Sequence, residues 1–528
     1  MKRRMFFKSA AAASVLPVSL NGMSLRTYGE NSLLGAIGKR GNANDRVLVI
    51  IQLNGGNDGL NMVVPLDQYS NLSKARSNVV LDEAKVLKLS GTLKTGLHPK
   101  MTGLQQMFNN GLVNTIQGIG YPQPNFSHFR ATDIWMSASD SDKMVASGWM
   151  GRYLDKRYPN FPTGYPNSNM PDPVAIQIGP LVSLNFMGPS VSMGMAITDP
   201  TTFYNLVDGN TGSNGSTPKD LELAFIRDLT QQTNQYATVV KSAAGKGKNL
   251  STKYGTGNSL ADQLKIVAKL ISGGLKTPVY MVSLGGFDTH SNQVESGDTS
   301  TGTHATLMQR LSDGIAAFQD DLKLLGLSDR VVGMTFSEFG RRIQSNASGG
   351  TDHGAAAPMI VFGEAVQPGI IGNNANIPTT TTVNDNVPMQ FDFRQVYASV
   401  LRDWFELPAA DVKLLMNGVD YNTLPIFKSN PMGLDDFADF MTQIEISEVW
   451  PNPSRGKFQV AFNSDGGGRL ALSVYNPLGE RVYYREPKEY GIGRFEIEID
   501  LQGLRKGNYI VQLSANQKNV SRLVTIVE

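Results

Sequence analysis

The run Val47-Leu48-Val49-Ile50-Ile51-Gln52-Leu53 constrains the fold of this chain more than any other stretch. It lacks the alternating polar positions of a half-exposed strand, so it predicts a strand buried on both faces, as in a parallel sheet covered by helices. The run stops at Asn54-Gly55-Gly56-Asn57-Asp58-Gly59, where glycine lets the backbone turn sharply and approach a neighbour closely. Asp58 is therefore expected just past the carboxyl end of a core strand, the edge at which open α/β sheets collect ligand sites. An acid held there is a candidate metal ligand.

From about residue 44 to 440, similar apolar runs alternate with helix-like segments. Strands are expected at 47–53, 112–117, 174–178, 279–283, 331–336 and 359–362, and helices at 103–109, 219–244, 259–272, 305–324 and 392–405. This order predicts an α/β domain with a mainly parallel sheet flanked by helices. Ser-, Gly- and Thr-rich stretches at 208–217 and 378–385 read as surface insertions or a lid. With 528 residues, 41% hydrophobic and 18% charged, the chain is globular and long enough for more than one domain.

The texture changes after about 436. Short alternating strands are expected at 457–462, 470–475, 481–484, 495–499, 508–514 and 521–527, with turns at Asn476-Pro477-Leu478-Gly479 and Arg505-Lys506-Gly507. They predict a small all-β sandwich over 445–528. This tail resembles the type A C-terminal sorting domain of the type IX secretion system of Bacteroidetes. The resemblance rests on Trp450-Pro451-Asn452-Pro453, Val474-Tyr475-Asn476-Pro477-Leu478-Gly479, Leu504-Arg505-Lys506-Gly507-Asn508-Tyr509 and Arg522-Leu523-Val524-Thr525-Ile526-Val527. It implies the type IX machinery as a partner and passage to the cell surface or the medium. An ordinary binding module of fibronectin type is the alternative.

Residues 1–30 read as a signal peptide. Lys2-Arg3-Arg4-Met5-Phe6-Phe7-Lys8 precedes a short, mildly apolar run, and the paired arginines resemble a Tat signal; a Sec signal is the alternative. No later segment is long and apolar enough to span a bilayer. A net charge of +2 gives no reason to expect a nucleic-acid partner, and the absence of cysteine excludes a thiolate site or thiol nucleophile. Carboxylates, hydroxyls and five histidines remain to carry chemistry.

Those residues concentrate in loops that mostly follow expected strands. Ser127, in Pro124-Asn125-Phe126-Ser127-His128-Phe129-Arg130, stands at a loop-to-helix start, either as a nucleophile or as a helix cap. Asp288 and His290, in Gly286-Phe287-Asp288-Thr289-His290, offer an oxygen and a nitrogen ligand, or a simple hydrogen-bonded pair. Glu338 follows the 331–336 strand, and Arg341 after it could grip an oxyanion or pair with an acid. Asp352 and His353 lie between Gly349-Gly350 and Gly354. His98 reads as structural, and His304 is expected to be exposed at a helix approach.

With these residues in hand, the 44–440 region resembles a secreted, often Tat-exported family (domain of unknown function 1501) related to the alkaline phosphatase and sulfatase superfamily. The resemblance rests on Gly55-Gly56-Asn57-Asp58-Gly59-Leu60-Asn61, Ser127-His128-Phe129, Ser147-Gly148-Trp149-Met150-Gly151-Arg152, Gly286-Phe287-Asp288-Thr289-His290, Ser337-Glu338-Phe339-Gly340-Arg341 and Asp352-His353-Gly354. It implies Ser127 and Arg341 as catalytic groups, and Asp58, Asp288, His290, Glu338, Asp352 and His353 as ligands of a divalent metal: zinc, manganese or calcium. Phe339 stands where the superfamily has a histidine, unless Asp352-His353-Gly354 is itself the matching motif. The implied activity is metal-dependent hydrolysis of phosphate or sulfate esters, on a glycan or a small ester. The alternative is a non-catalytic surface binding or assembly protein on the same fold.

Overall fold

The computed structural model describes residues 18–20, 23–25, 45–200, 236–428, 444–464, 468–477, 480–490, 493–515 and 518–527. Most of the signal segment and the whole 208–217 insertion lie outside them. The helix expected over 219–244 is described only from residue 236, and residues 236–246 are helical. The described residues form two compact units, one within 38–429 and one that groups the residues before 38 with those from 430 onward.

The first unit is built on a nine-stranded sheet. Its strands are β1 (Val47–Asn54), β2 (Val113–Gly120), β3 (Ala175–Ile178), β4 (Met195–Ile197), β5 (Val279–Gly285), β6 (Val331–Phe336), β9 (Ala357–Phe362), β10 (Gly369–Ile371) and β11 (Phe391–Asp392). A separate hairpin, β7 (Arg341–Ser345) with β8 (Thr351–His353), projects from the end of β6. The order across the sheet is β10-β2-β9-β6-β1-β5-β3-β4, with β11 also beside β2. All pairings are parallel except those of β9, which runs antiparallel to β2 and β6. Strand β1 is central, between β5 and β6, and Val47 to Leu53 are all buried, as expected of an unbroken apolar run.

Helices α1 (Thr102–Asn109), α2 (His128–Ser137), α3 (Trp149–Arg157), α4 (Ser259–Ser272), α5 (Thr303–Leu324) and α6 (Phe393–Ser399) accompany the sheet. Helix α5 buries Leu307, Leu311, Ile315, Phe318 and Leu322, a helical stripe. Helix α4 starts at Asn258, whose side chain accepts from the Leu260 and Ala261 amides. Asp392 and Gln395 form a capping box on α6, which continues into a π-type turn over Val400–Trp404. The Ser147–Arg152 motif is absorbed by packing. Its glycines face the 184–188 backbone at distances no Cβ would tolerate, and Arg152 donates to the Ser137, Ser147 and Leu415 carbonyls.

From residue 444 on, the described residues form seven strands in two antiparallel sheets. Ile444–Trp450, Lys457–Ser464 and Gly493–Asp500 form one; Arg481–Tyr490, Gly468–Tyr475, Gly507–Ala515 and Lys518–Ile526 form the other. Phe458, Val460 and Phe462 from the first share one core with Leu472, Val474, Val511 and Leu513 from the second. This is the two-layer packing that period-two patterning dictates.

Candidate metal centre

One edge of the sheet gathers the candidate residues. The carboxyl ends of β1, β2, β5 and β6 lead into residues 55–58, 121–128, 286–290 and 337–341, and antiparallel β9 brings its amino end, after His353, to the same side. Gly55 and Gly56 adopt φ of +124° and +78°. A Cβ on Gly55 would lie 2.4 Å from the Asp288 nitrogen, and one on Gly56 would lie 2.3 Å from the Phe339 ring. The paired glycines therefore let the β1 loop nest under the loops that carry the acid and the aromatic ring.

At the centre stands Asp288. Its Oδ1 lies 3.1 Å from His290 Nε2 and 3.2 Å from His353 Nε2, and accepts from Arg341 Nη2 at 2.8 Å. Its Oδ2 lies 3.4 Å from His128 Nε2, an ion-pair distance, and among the described residues His128 Nε2 is a buried nitrogen without a hydrogen-bond partner. The opposite nitrogen of each ring faces an oxygen. His128 Nδ1 meets Glu338 Oε1 at 2.8 Å, His353 Nδ1 meets the Phe126 carbonyl at 2.8 Å, and His290 Nδ1 meets Asp352 Oδ1 at 3.2 Å. Carbonyl and carboxylate oxygens only accept, so each Nδ1 carries the hydrogen and each Nε2 is left with its lone pair. This is the arrangement in which metal-binding imidazoles are held, oriented by an oxygen behind the ring.

The His290 and His353 Nε2 atoms stand 2.8 Å apart. Two lone pairs at that distance need a positive charge between them, either a proton on one ring or a shared cation. Ligand atoms of His128, Asp288 and His353 all lie within 4.8 Å of one another. Two nitrogen ligands on one tetrahedral zinc ion lie about 3.4 Å apart, so the side chains would close by about an ångström around an ion. The donor set therefore fits a divalent ion. Burial works against the Asp288 charge, but the hydrogen bond and positive charge of Arg341, with His353 and His290 beside it, outweigh it and hold the carboxyl at about 2. For His353, burial is the leading influence and lowers the pKa, which favours the neutral ring a metal requires.

Phe339 is buried beneath this cluster, its ring centroid 4.9 Å from that of His128 and 4.5 Å from that of His353. The residue standing where a histidine was expected thus forms an apolar floor under two imidazoles. Helix α2, which delivers His128, is fixed by Trp135, stacked 4.3 Å from Phe393 and 5.7 Å from Phe336 at the end of β6. The cluster is open on its outer side, with the Asp288, His290 and Asp352 side chains about half exposed. An open groove of about 690 Å³ begins at Gly285 and Gly286 and is lined further by Asn292, Thr303, Thr306 and Arg310.

Other expected residues are placed differently. Asp58 is fully buried: Arg76 Nη1 donates to its Oδ1 at 2.9 Å and its Oδ2 at 2.8 Å, and Gln293 Nε2 donates to Oδ2 at 2.6 Å. Both oxygens are occupied, and Asp58 is not among the clustered ligand atoms found in the described residues. Glu338 is buried and stands behind His128, taking the Gly55 amide on the same Oε1. Asp352 stands behind His290 and also accepts from Asn346 Nδ2. Arg341 is 1% exposed and donates to the Gly55, Gly56, Phe287 and Thr351 carbonyls besides Asp288, so it is a brace between loops. Ser127 is exposed at the start of α2, with no hydrogen bond from its hydroxyl among the described residues. Two readings change. His304, expected to be exposed, is 1% exposed, because α5 turns its first-turn histidine inward toward Asn57. His128, quoted in the sequence only as part of a motif, is a central member of the cluster, and its place directly after Ser127 at a helix start was the available signal.

Residues 218–415 match the family described as protein of unknown function (DUF1501). Residues 448–527 match the secretion system C-terminal sorting domain. A search of the curated proteins found no match to the chain. Among solved structures, a protein of the alkaline phosphatase superfamily from Vibrio parahaemolyticus is similar at 9% identity and TM-score 0.32, over 92% of this chain and 83% of that one. A sulfatase from Pseudoalteromonas sp. is similar at 11% identity and TM-score 0.34, over 88% and 85%. A phosphonate monoester hydrolase from Silicibacter pomeroyi is similar at 10% identity and TM-score 0.31, over 91% and 88%. Among the described residues, no helix is long and apolar enough to cross a membrane. The chain thus joins a DUF1501 region, which holds Asp288, His290, Glu338 and His353, to a sorting domain that implies export by the type IX secretion system.

Proposed function

We propose that this protein is an exported, divalent-metal-dependent hydrolase of phosphate or sulfate esters. The observation that carries the reading is the convergence of three imidazole Nε2 atoms on Asp288, with each Nδ1 tied to an oxygen behind it. The nitrogen-rich donor set favours zinc over calcium, whose shell is built of oxygens, with manganese between them. When bound, such an ion supplies a Lewis acid for an ester oxygen and a water or hydroxyl of lowered pKa. The ester class rests on the likeness of Ser127-His128-Phe129, Gly286–His290 and Asp352-His353-Gly354 to the alkaline phosphatase and sulfatase superfamily.

Ser127 is the proposed nucleophile. It adjoins the ligand His128 and stands at the positive end of α2, where a negative charge on the attacking oxygen is favoured. Its Oγ forms a bond to phosphorus or sulfur as the ester oxygen leaves with a proton as alcohol. Water then cleaves the covalent intermediate, releases phosphate or sulfate and restores the serine. Arg341 holds the Asp288 loop against the β1 loop, and Phe339 keeps water from the inner side of the imidazoles.

The test is elemental analysis of the purified full chain after loading with zinc or manganese, combined with turnover of phosphate and sulfate esters by wild type and Ser127→Ala. One bound ion and turnover lost in the variant are expected. Absence of a bound ion together with unchanged turnover in the variant would overturn the reading. A second reading, a surface binding protein that holds an ion without turnover, is favoured by the burial of Asp58 and Arg341, the Arg341 guanidinium being taken up by loop carbonyls and Asp288 rather than turned to an oxyanion. Bound metal with no turnover on any ester would support it.

A further inference from the structure

Behind the cluster lies a polar group that touches none of the ligands. Gln293 is fully buried. Its Nε2 donates to Asp58 Oδ2 at 2.6 Å, and its Oε1 accepts from Thr289 Oγ1 at 3.0 Å and Thr351 Oγ1 at 2.8 Å. The orientation of the amide is dictated by its partners, since a carboxylate cannot donate. Thr289 lies between Asp288 and His290; Thr351 lies two residues before His353, in the hairpin that also carries Asp352. One carboxamide oxygen therefore ties together the two loops that supply three of the four converging ligands. Asp58 in turn is fixed by Arg76, which also donates to the Ile343 and Arg342 carbonyls of β7.

We infer that Gln293 is a positioning residue for the metal centre, with Asp58 and Arg76 as its anchor. This rests on the proposed metal-binding function. Without the clasp, the two loops keep the Arg341 bonds to Phe287 and Asp288, the Thr351 amide bond to the Thr289 carbonyl, 3.1 Å long, and the Asn346 bond to the His290 carbonyl, but lose the side-chain bridge between Thr289 and Thr351. The rings of His290 and His353 then lose the fixed spacing that an ion needs. The backbone of residue 293 is held independently, its amide on the Gly349 carbonyl and its carbonyl on the His304 amide, so a change of side chain leaves the chain path in place.

The test uses Gln293→Met, of similar length but unable to bridge, the milder Thr351→Val, and the double variant Asp58→Asn with Gln293→Glu. That double variant exchanges the two functional groups: the asparagine donates, the glutamate accepts from both threonines, and total charge is unchanged. Zinc affinity of the full chain is measured by titration calorimetry beside thermal unfolding without metal. Changes behind metal ligands weaken binding by about 10- to 100-fold, and that loss is expected for Gln293→Met, with a smaller loss for Thr351→Val and recovery in the double variant. Zinc affinity within twofold of wild type in both Gln293→Met and Thr351→Val would overturn the inference. A wild type that binds no zinc would refute the metal centre itself. The positioning role is then decided by side-chain ¹⁵N spectra of the five histidines. Displaced His290 and His353 resonances in Gln293→Met support it, and an unchanged spectrum refutes it.

Discussion

Replacing His304 by glutamine probes the buried polar layer behind the site. His304 is 1% exposed; its Nε2 meets Asn57 Oδ1 at 3.1 Å, and its Nδ1 has no hydrogen-bond partner among the described residues. Burial pushes its pKa from 6.5 down to about 4, the nearby Asp58 charge opposing that fall only in part. In the unfolded chain the imidazole takes up a proton below about pH 6.5, whereas in the folded chain it does so only near 4. Between these values the unfolded state binds more protons, so stability falls as the pH falls. One pKa unit corresponds to about 1.4 kcal/mol, which gives a loss of about 2 kcal/mol from His304 between pH 7 and pH 5. Glutamine keeps an N–H for Asn57 Oδ1 and does not titrate. Urea unfolding at the two pH values, followed by tryptophan fluorescence in a Trp450→Phe background, isolates the first unit, because Trp135, Trp149 and Trp404 all lie there. Wild type should lose about 2 kcal/mol more than His304→Gln over this range. Equal losses in the two proteins would show that His304 is not held neutral by burial and would refute the reasoning. His98, whose ring lies 5.8 Å from that of His304, is lowered to about 3 by burial first and by the His304 charge second, so in both proteins burial keeps the folded ring neutral over this pH range.

Three further outcomes follow from the same geometry. Arg76→Met leaves the Asp58 carboxylate buried without its cation and should destabilise the first unit by about 3–5 kcal/mol in calorimetric unfolding; adding Asp58→Asn should restore much of the loss. Zinc at a hundredfold its Kd should stabilise wild type by about 2.7 kcal/mol, an effect reversed by chelation and sharply reduced in His128→Ala. Glu338→Gln keeps an oxygen for His128 Nδ1 but removes the charge that raises ring basicity, and should weaken zinc binding by about tenfold in a calorimetric titration without altering the far-ultraviolet dichroism.

Much of the framework is legible in the order of residues, because it follows from local periodicity. The strand Val331–Phe336 and the helix Ser259–Ser272 have the expected bounds, since each is a run whose apolar pattern admits one element type. The loops after β5 and β6 were identifiable as site-bearing because polar and glycine residues follow buried strands in a parallel sheet, and the topology brings those ends together. The sandwich over the last strands followed from alternation and turn residues in the same way.

What each side chain does within those loops was decided by approach in three dimensions. Asp58 and Arg76 lie 18 residues apart and Asp58 and Gln293 lie 235 apart, and nothing local marks them as partners. The acid reads in the sequence as a ligand; folding pairs it with a buried guanidinium because an unpaired charge there would be far more costly. Glu338 and Asp352 likewise stand behind imidazoles, His128 turns inward beside an exposed serine, and Phe339 forms a floor under two rings. Periodicity by itself determined which elements form and at which sheet edge polar residues collect. Only tertiary packing chose which of them face one another across the site, because hydrogen bonding and desolvation act between groups that the chain brings together from distant positions.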